Sequence, residues 1–269
     1  MDDFMGDFPF SGKTAFISGG ASGIGQAIAE EFGRRGLRVV VGDIDLAGAE
    51  RAAAGIDGAS AVKLDVRDEA SWIAALDAAE ARHGPLAVLV SNAGVAGTVL
   101  PLRETPWDAW KWSREVMLDG TFLGLSQGSR RIVASGGPGH IIATASMAAI
   151  APPPGMSVYA AMKAGVISLC EGLRQEFTNL GIGVSVLLPG AVRTKLVESN
   201  LSRAPSDVAD VGNHEIFAER LRNGMDPALV AEQAADALGT DRFWLFTHPE
   251  LGVRIDTRFA EIKAAMAQR

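Results

Sequence analysis

Tyr159, the only tyrosine in the 269-residue chain, stands four positions before Lys163 and thirteen after Ser146. In a helix spanning 158–180, residues four apart share a face, so the phenol and the ammonium project into the same space. A cation beside a phenol favours phenolate. Lowering a phenolic pKa from about 10 to near 7 takes roughly 4 kcal/mol of preferential anion stabilisation, which one charge in a low-dielectric pocket can largely supply. Such a tyrosine exchanges a proton with a substrate hydroxyl or carbonyl at neutral pH. The pair alone is ambiguous, because the same spacing describes a half-buried ring beside a solvated amine.

A second constellation lies near the start. The apolar run K-T-A-F-I-S (13–18) reads as a buried strand, S-G-G-A-S-G-I-G (18–25) as a glycine turn, and Q-A-I-A-E-E-F-G-R-R (26–35) as a helix. Strand, glycine turn and helix together form a phosphate-binding arrangement. Gly19 permits the tight turn, Gly23 lets backbone N–H groups approach a pyrophosphate, and Gly25 allows close helix–strand packing at a helix terminus of partial positive charge. The spacing is G-x-x-x-G-x-G rather than G-x-G-x-x-G.

These residues must be positioned by a scaffold, and the chain alternates. Runs at 37–42, 60–64, 86–90, 140–145, 183–188 and 242–247 join the first as seven expected strands. Helical segments are expected at 46–54, 68–83, 106–135, 158–180 and 226–239. Alternation of this kind predicts an α/β fold, a doubly wound parallel seven-stranded sheet with helices on both faces, in a single domain spanning 1–269. Ligands in such sheets bind beyond the carboxyl ends of the strands. Gly19, Asp43, Asp65, Asn92, Ser146 and Pro189 follow strands one to six in turn. Asp43 is placed to accept hydrogen bonds from adenosine ribose hydroxyls and to repel a 2′-phosphate; the other reading makes it the N-cap of the next helix.

With these motifs in order, the chain resembles the classical short-chain dehydrogenase/reductase family over nearly its whole length, with a Rossmann-type fold implied. Gly19, Ser22, Gly23, Ile24 and Gly25 look like its cofactor loop, with Ser18 where threonine is usual. Leu64-Asp65-Val66 resembles the adenine-contacting segment, and Asn92-Ala93-Gly94 the motif closing the fourth strand. Pro189-Gly190-Ala191-Val192-Arg193-Thr194 resembles the segment holding the nicotinamide carboxamide. Ser146, Tyr159 and Lys163 match the catalytic serine, tyrosine and lysine. The resemblance implies that Ser146 binds the substrate oxygen, Tyr159 transfers its proton, and Lys163 holds the nicotinamide ribose while lowering the tyrosine pKa. NADP-preferring relatives carry a basic residue where this chain has Ser22 or Ile44, so NAD is expected over NADP. A homotetramer, or a homodimer, pairing the helices at 106–135 and 158–180 is also implied.

One position departs from the pattern. In Val116-Met117-Leu118-Asp119-Gly120, methionine stands where the family usually has asparagine, which helps hold a proton-relaying water chain. A thioether cannot donate and accepts only weakly. Met117 is expected to be core filler, with the relay carried by backbone and water. The same departure motivates a rival reading, a catalytically weak NAD-binding sensor or scaffold. A dehydratase or epimerase using bound NAD without net redox is a further alternative.

The expected substrate is a secondary alcohol or ketone with apolar or aromatic substituents, because few charges occur in the loops at 96–102, 147–156 and 191–197. A lid is expected at about 195–225, with Ile216, Phe217 and Leu221 either over the ligand or packed on the body. The net charge of −7 disfavours nucleic acid and anionic membrane as partners. The single cysteine, Cys170, sits in an apolar helical run and permits no internal disulfide. Histidines 83, 140, 214 and 248 show no metal-ligand spacing, so no metal is expected. Residues 132–162 lack charge, yet G-G-P-G and P-P-P-G would break a spanning helix. The acidic N-terminus is unlike a signal peptide, and a cytoplasmic location is expected.

Overall fold

A computed structural model describes residues 8–205 and 215–267. Strands β1 (Thr14–Ser18), β2 (Arg38–Asp43), β3 (Ser60–Lys63), β4 (Leu86–Ser91), β5 (Gly139–Thr144), β6 (Ile182–Leu188) and β7 (Trp244–Phe246) form one parallel sheet in the order β3-β2-β1-β4-β5-β6-β7. The fold is thus the α/β, doubly wound, Rossmann-type single domain that the alternation predicts. Phe16 is in register with Val40 on one side and Leu89 on the other. Strand order turns back between β1 and β4, so a crevice opens beyond their carboxyl ends.

The helices are α1 (Gly23–Arg34), α2 (Leu46–Ala54), α3 (Glu69–His83), α4 (Trp107–Arg114), α5 (Gly120–Ser135), α6 (Ser157–Glu176), α7 (Leu196–Arg203), α8 (Glu215–Arg222), α9 (Pro227–Ala237) and α10 (Gly252–Ala267). Successive strand residues point to opposite faces and feed two cores. Ile17, Val39 and Val90 pack with Ile28 and Phe32 of α1, Ala49 of α2 and Val230 of α9. Phe16, Val40 and Leu89 pack with Trp72 and Leu76 of α3, Leu125 of α5 and Val166 of α6. Because both faces are covered, the strands are apolar without alternation. Aspartates start three helices: Asp45, Asp68 and Asp226 accept from the backbone N–H of Gly48, Ala70 and Ala228.

The expected elements differ from the observed ones in three informative places. Residues 106–135 are not one regular helix: after Pro106, α4 passes through a π-helical turn at Glu115–Asp119 into α5. The helix expected to reach 180 ends at Glu176, and Gly181 with φ of +67° reverses the chain into β6. The C-terminal helix α10 is absent from the expected elements although Ile255, Phe259, Ile262 and Met266 recur at helical spacing; none of its residues is buried. Among the described residues no helix is long and apolar enough to cross a membrane, and no group of metal-ligating side chains is found.

Candidate active site

A cavity of about 510 Å³ opens at the carboxyl ends of the strands and is lined by residues that follow each of β1 to β6, but by none of residues 96–102, which the sequence reading placed on its wall. Ser146, Tyr159 and Lys163 all line it and are all buried, at 9%, 8% and 4% exposure. Ser146 lies just beyond β5, its Oγ accepting from the Ala148 N–H at 3.1 Å. Tyr159 and Lys163 sit one turn apart near the start of α6. The Lys163 ammonium is 6.0 Å from the centre of the Tyr159 ring and donates to the Thr144 carbonyl at 2.7 Å.

The electrostatics depart from the sequence expectation. Burial pushes the Tyr159 phenol above its ordinary value, and the hydrogen bond with Ser146 opposes that rise. Burial also lowers the Lys163 pKa, to about 8, which leaves the ammonium protonated at neutral pH, and it donates to the Thr144 carbonyl. The Ser146 hydroxyl is the hydrogen-bonding group that favours the phenolate.

The glycine turn has the shape of a cradle. Gly19 and Gly23 have φ of +66° and +58°, which L side chains rarely adopt. A Cβ on Gly25 would lie 2.2 Å from the Gly19 carbonyl oxygen and 2.5 Å from Asn92 Nδ2. Gly25 thus shapes the turn from behind and does not itself line the cavity, whereas Gly19, Ser22, Gly23 and Ile24 do. Ser22 precedes α1 with extended backbone and makes no side-chain cap, so its hydroxyl is free for a ligand. Thr194 closes the turn from the far side, its Cγ2 3.1 Å from where a Cβ of Gly23 would be.

Asp43 ends β2 and is 5% exposed. It is not the cap of α2, which is Asp45. Its carboxylate accepts from the N–H groups of Ala21 and Asp45, and Arg203 of α7 lies 3.5 Å from it. Asp65 is held by Arg67 through two short hydrogen bonds, which keep its carboxyl below the usual range. Val66 lines the cavity, and its carbonyl accepts from the buried Trp72 indole. Asn92 is a staple: Nδ2 donates to the carbonyls of Ser18 and Gly19, and Oδ1 accepts from Thr144. Ala93 and Gly94 line the wall beside it, the latter 3.5 Å from Lys163 Nζ measured from a built Cβ. Pro189, Gly190 and Val192 follow β6 into the cavity. Gly190 N–H donates to His248 Nδ1, whose ring would clash at 2.6 Å with any Cβ there.

Met117 is fully buried among Val95, Trp112, Tyr159 and Met162, inside the π-helical turn. Its carbonyl accepts from Thr121 Oγ1 at 2.8 Å. The core-filler reading of the side chain is the observed packing.

Several lining residues escaped the sequence reading. Arg203, Arg220 and Arg254 project from α7, α8 and α10, while Trp112 and Val116 come from α4 and the π-helical turn. Phe217 and Leu221 line the cavity and also pack on the body, so both placements weighed for them are present; the side chain of Ile216 and residues 206–214 lie outside the described residues. Lys195 of the 191–197 loop lines the cavity, and Arg220 and Arg254, from outside the three loops, bring more charge to it than those loops suggested. Nothing local in the sequence marks the arginines, since only tertiary packing turns them inward.

These features fit a dinucleotide: a cradle that a single Cβ would fill, a buried carboxylate at the end of β2, and a cavity continuous from there to Tyr159. Comparison with known proteins agrees. The model of the short chain dehydrogenase family matches residues 13–204. A C alpha-dehydrogenase of a Sphingobium species is 31% identical over 96% of this chain and 88% of its own length. A 1-deoxy-11-beta-hydroxypentalenate dehydrogenase of Streptomyces avermitilis is 34% identical, over 95% of this chain and 92% of its own. A short chain dehydrogenase/reductase from Burkholderia phymatum, solved in complex with NAD, superposes with a TM-score of 0.89 at 29% identity, covering 96% of both chains. With a family model over six of the seven strands and relatives and a solved structure covering nearly the whole chain, the chain belongs to the short-chain dehydrogenase/reductase family.

Proposed function

We propose that the protein is an NAD-dependent dehydrogenase oxidising a secondary alcohol with apolar or aromatic substituents, or reducing the matching ketone. The observation that carries this reading is the convergence of buried Ser146, Tyr159 and Lys163 on one cavity with the glycine cradle and Asp43. Ser146 Oγ and Tyr159 Oη hold the substrate oxygen, and Tyr159 takes its proton. Lys163 anchors the nicotinamide ribose and steadies the site through Thr144. Bound NAD supplies the hydride acceptor. Gly19, Ser22, Gly23, Ile24 and Thr194 hold the pyrophosphate, Asp43 the adenosine ribose, Asp65 and Val66 the adenine, and Pro189, Gly190 and Val192 the carboxamide. Asn92, Ala93 and Gly94 form the wall beside the dinucleotide, and Gly25 fixes the turn. The carboxylate of Asp43 disfavours a 2′-phosphate, which is the ground for NAD over NADP.

The names of the relatives support the class: both are dehydrogenases, one of a hydroxylated pentalenate. The segment at about 195–225 serves as a lid, with Phe217 and Leu221 facing the ligand. Homotetramers that pair α4–α5 and α6 between subunits are part of the same reading, consistent with Phe122 standing 53% exposed on α5. An NAD-linked screen of secondary alcohols, followed at the nicotinamide absorbance, tests the proposal. Absorbance growth that requires both NAD and an alcohol is expected; tightly retained NAD with no net absorbance change would favour a dehydratase or epimerase, and no turnover at all the sensor reading.

A further inference from the structure

The charge on the cavity wall is lopsided. In a chain of net charge −7, the charged residues lining the cavity are Asp43 and Asp65 against Arg67, Lys163, Lys195, Arg203, Arg220 and Arg254. Both acids already face a cation, Asp43 meeting Arg203 and Asp65 meeting Arg67. A dinucleotide brings two phosphate charges, and Lys195, next to the Thr194 that packs on the glycine turn, stands on that side. Positive charge therefore remains after the dinucleotide is accounted for.

That remainder lies toward the substrate. Arg220 follows Phe217 by three residues on α8, on the face turned to the cavity, and Phe217 packs against the cluster that contains Tyr159, Trp112 and Met156. Arg254 follows Leu251 by three residues, and both line the cavity. One turn further on, Arg258 donates to the Ile150 carbonyl at 2.5 Å, which holds α10 against the loop that begins at Ser146. Neither Arg220 nor Arg254 has an ion pair or hydrogen bond among the described residues. Two unpartnered guanidinium groups from separate helices thus border an apolar chamber that holds the proton-transfer pair.

We propose that the substrate is an anionic alcohol, an apolar skeleton bearing a carboxylate, and that Arg220 and Arg254 bind this carboxylate while the carbinol faces Tyr159. The inference rests on the dehydrogenase reading above and adds a substrate class to it. A planar guanidinium matches a carboxylate with paired N–H donors, and both arginines stand at the exposed rim of the cavity, where a carboxylate can reach them. The carboxylate fixes which carbon of the skeleton is presented.

The test is calorimetric titration of the NAD-saturated protein with cyclohexanecarboxylate and with its neutral isostere cyclohexanecarboxamide. The acid is expected to bind roughly tenfold or more tightly than the amide, as a charge-assisted pair requires. The advantage should vanish in Arg220→Gln/Arg254→Gln, whose substitutions lie on exposed helix faces and leave the fold intact. Equal binding of acid and amide, binding of neither, or an acid preference that survives in the double variant would overturn the proposal. Binding needs no turnover, so failure of every alcohol to reduce NAD would count against the dehydrogenase reading alone.

Discussion

Arg203 Nη2 lies 3.5 Å from Asp43 Oδ1, joining the helix that follows β6 to the carboxylate that ends β2. The same carboxylate is fixed by the N–H groups of Ala21 and Asp45, so its orientation is set by backbone before any ligand arrives. Wild type should prefer NAD to NADP. In Asp43→Ala the ribose acceptor is lost and Arg203 is released toward any 2′-phosphate, so kcat/KM should fall for NAD and rise for NADP. Adding Arg203→Ala to that variant should remove the NADP gain. Equal wild-type kcat/KM for the two cofactors would contradict the role given to Asp43.

Tyr159→Phe removes the proton-transferring oxygen and almost no packing volume. Turnover should drop by about 10²–10⁴-fold, with NAD affinity within a few-fold by fluorescence titration. Retention of more than about a hundredth of the wild-type rate would show that another group carries the proton.

The pH profile follows from the same site. Burial holds the phenol high and the Ser146 hydrogen bond is the opposing pull, so the oxidation rate should climb with pH beyond neutrality. Ser146→Ala should move that limb to higher pH as well as lower its height. A limb that stays in place would mean that Ser146 does not tune Tyr159.

The sheet, its seven strands and the residues converging at their ends were legible because each signal was local. Buried parallel strands read as apolar runs, and the glycine turn marks where the first strand gives way to its helix. The role split between Asp43 and Asp45 was not legible: both suit a cap, and only the observed bond from Gly48 N–H to Asp45 decides it. Nor was the π-helical turn at Glu115–Asp119, since one extra residue hardly disturbs a helical pattern. The burial that raises the Tyr159 pKa was not legible either: spacing puts Lys163 on the right face, but neither the depth of the phenol nor the Thr144 carbonyl that receives the ammonium shows in the local sequence.

His140 gives a stability prediction away from the cavity. It is fully buried on β5; Gly239 N–H donates to Nδ1, and Ser185 Oγ lies 2.9 Å from Nε2. Ser185 donates its own proton to the Arg242 carbonyl, so Nε2 is the protonated nitrogen of a neutral ring. Burial lowers its pKa to about 4 from 6.5. Between those values the unfolded chain binds the proton and the folded chain does not, so stability falls as pH drops from 6.5 toward 4, by about 3 kcal/mol in all. Denaturant melts across that window should show a shallower slope for His140→Gln than for wild type. Identical slopes would assign the acid sensitivity elsewhere.

Met117 offers the sharpest test of how this chain differs from its family. The side chain is fully buried against Tyr159's cluster and the carbonyl already accepts from Thr121. Met117→Ala should therefore cost about 2–5 kcal/mol of stability, with kcat per folded molecule within a few-fold of wild type. Met117→Asn restores the residue usual in the family but puts an amide into a pocket shaped for a thioether, where it lacks partners. No rate gain is expected, because a relay running through backbone and water takes nothing from this side chain. If asparagine instead raised kcat tenfold or more at unchanged NAD affinity, proton return would be the defect of the natural protein, and the sensor reading would displace the dehydrogenase.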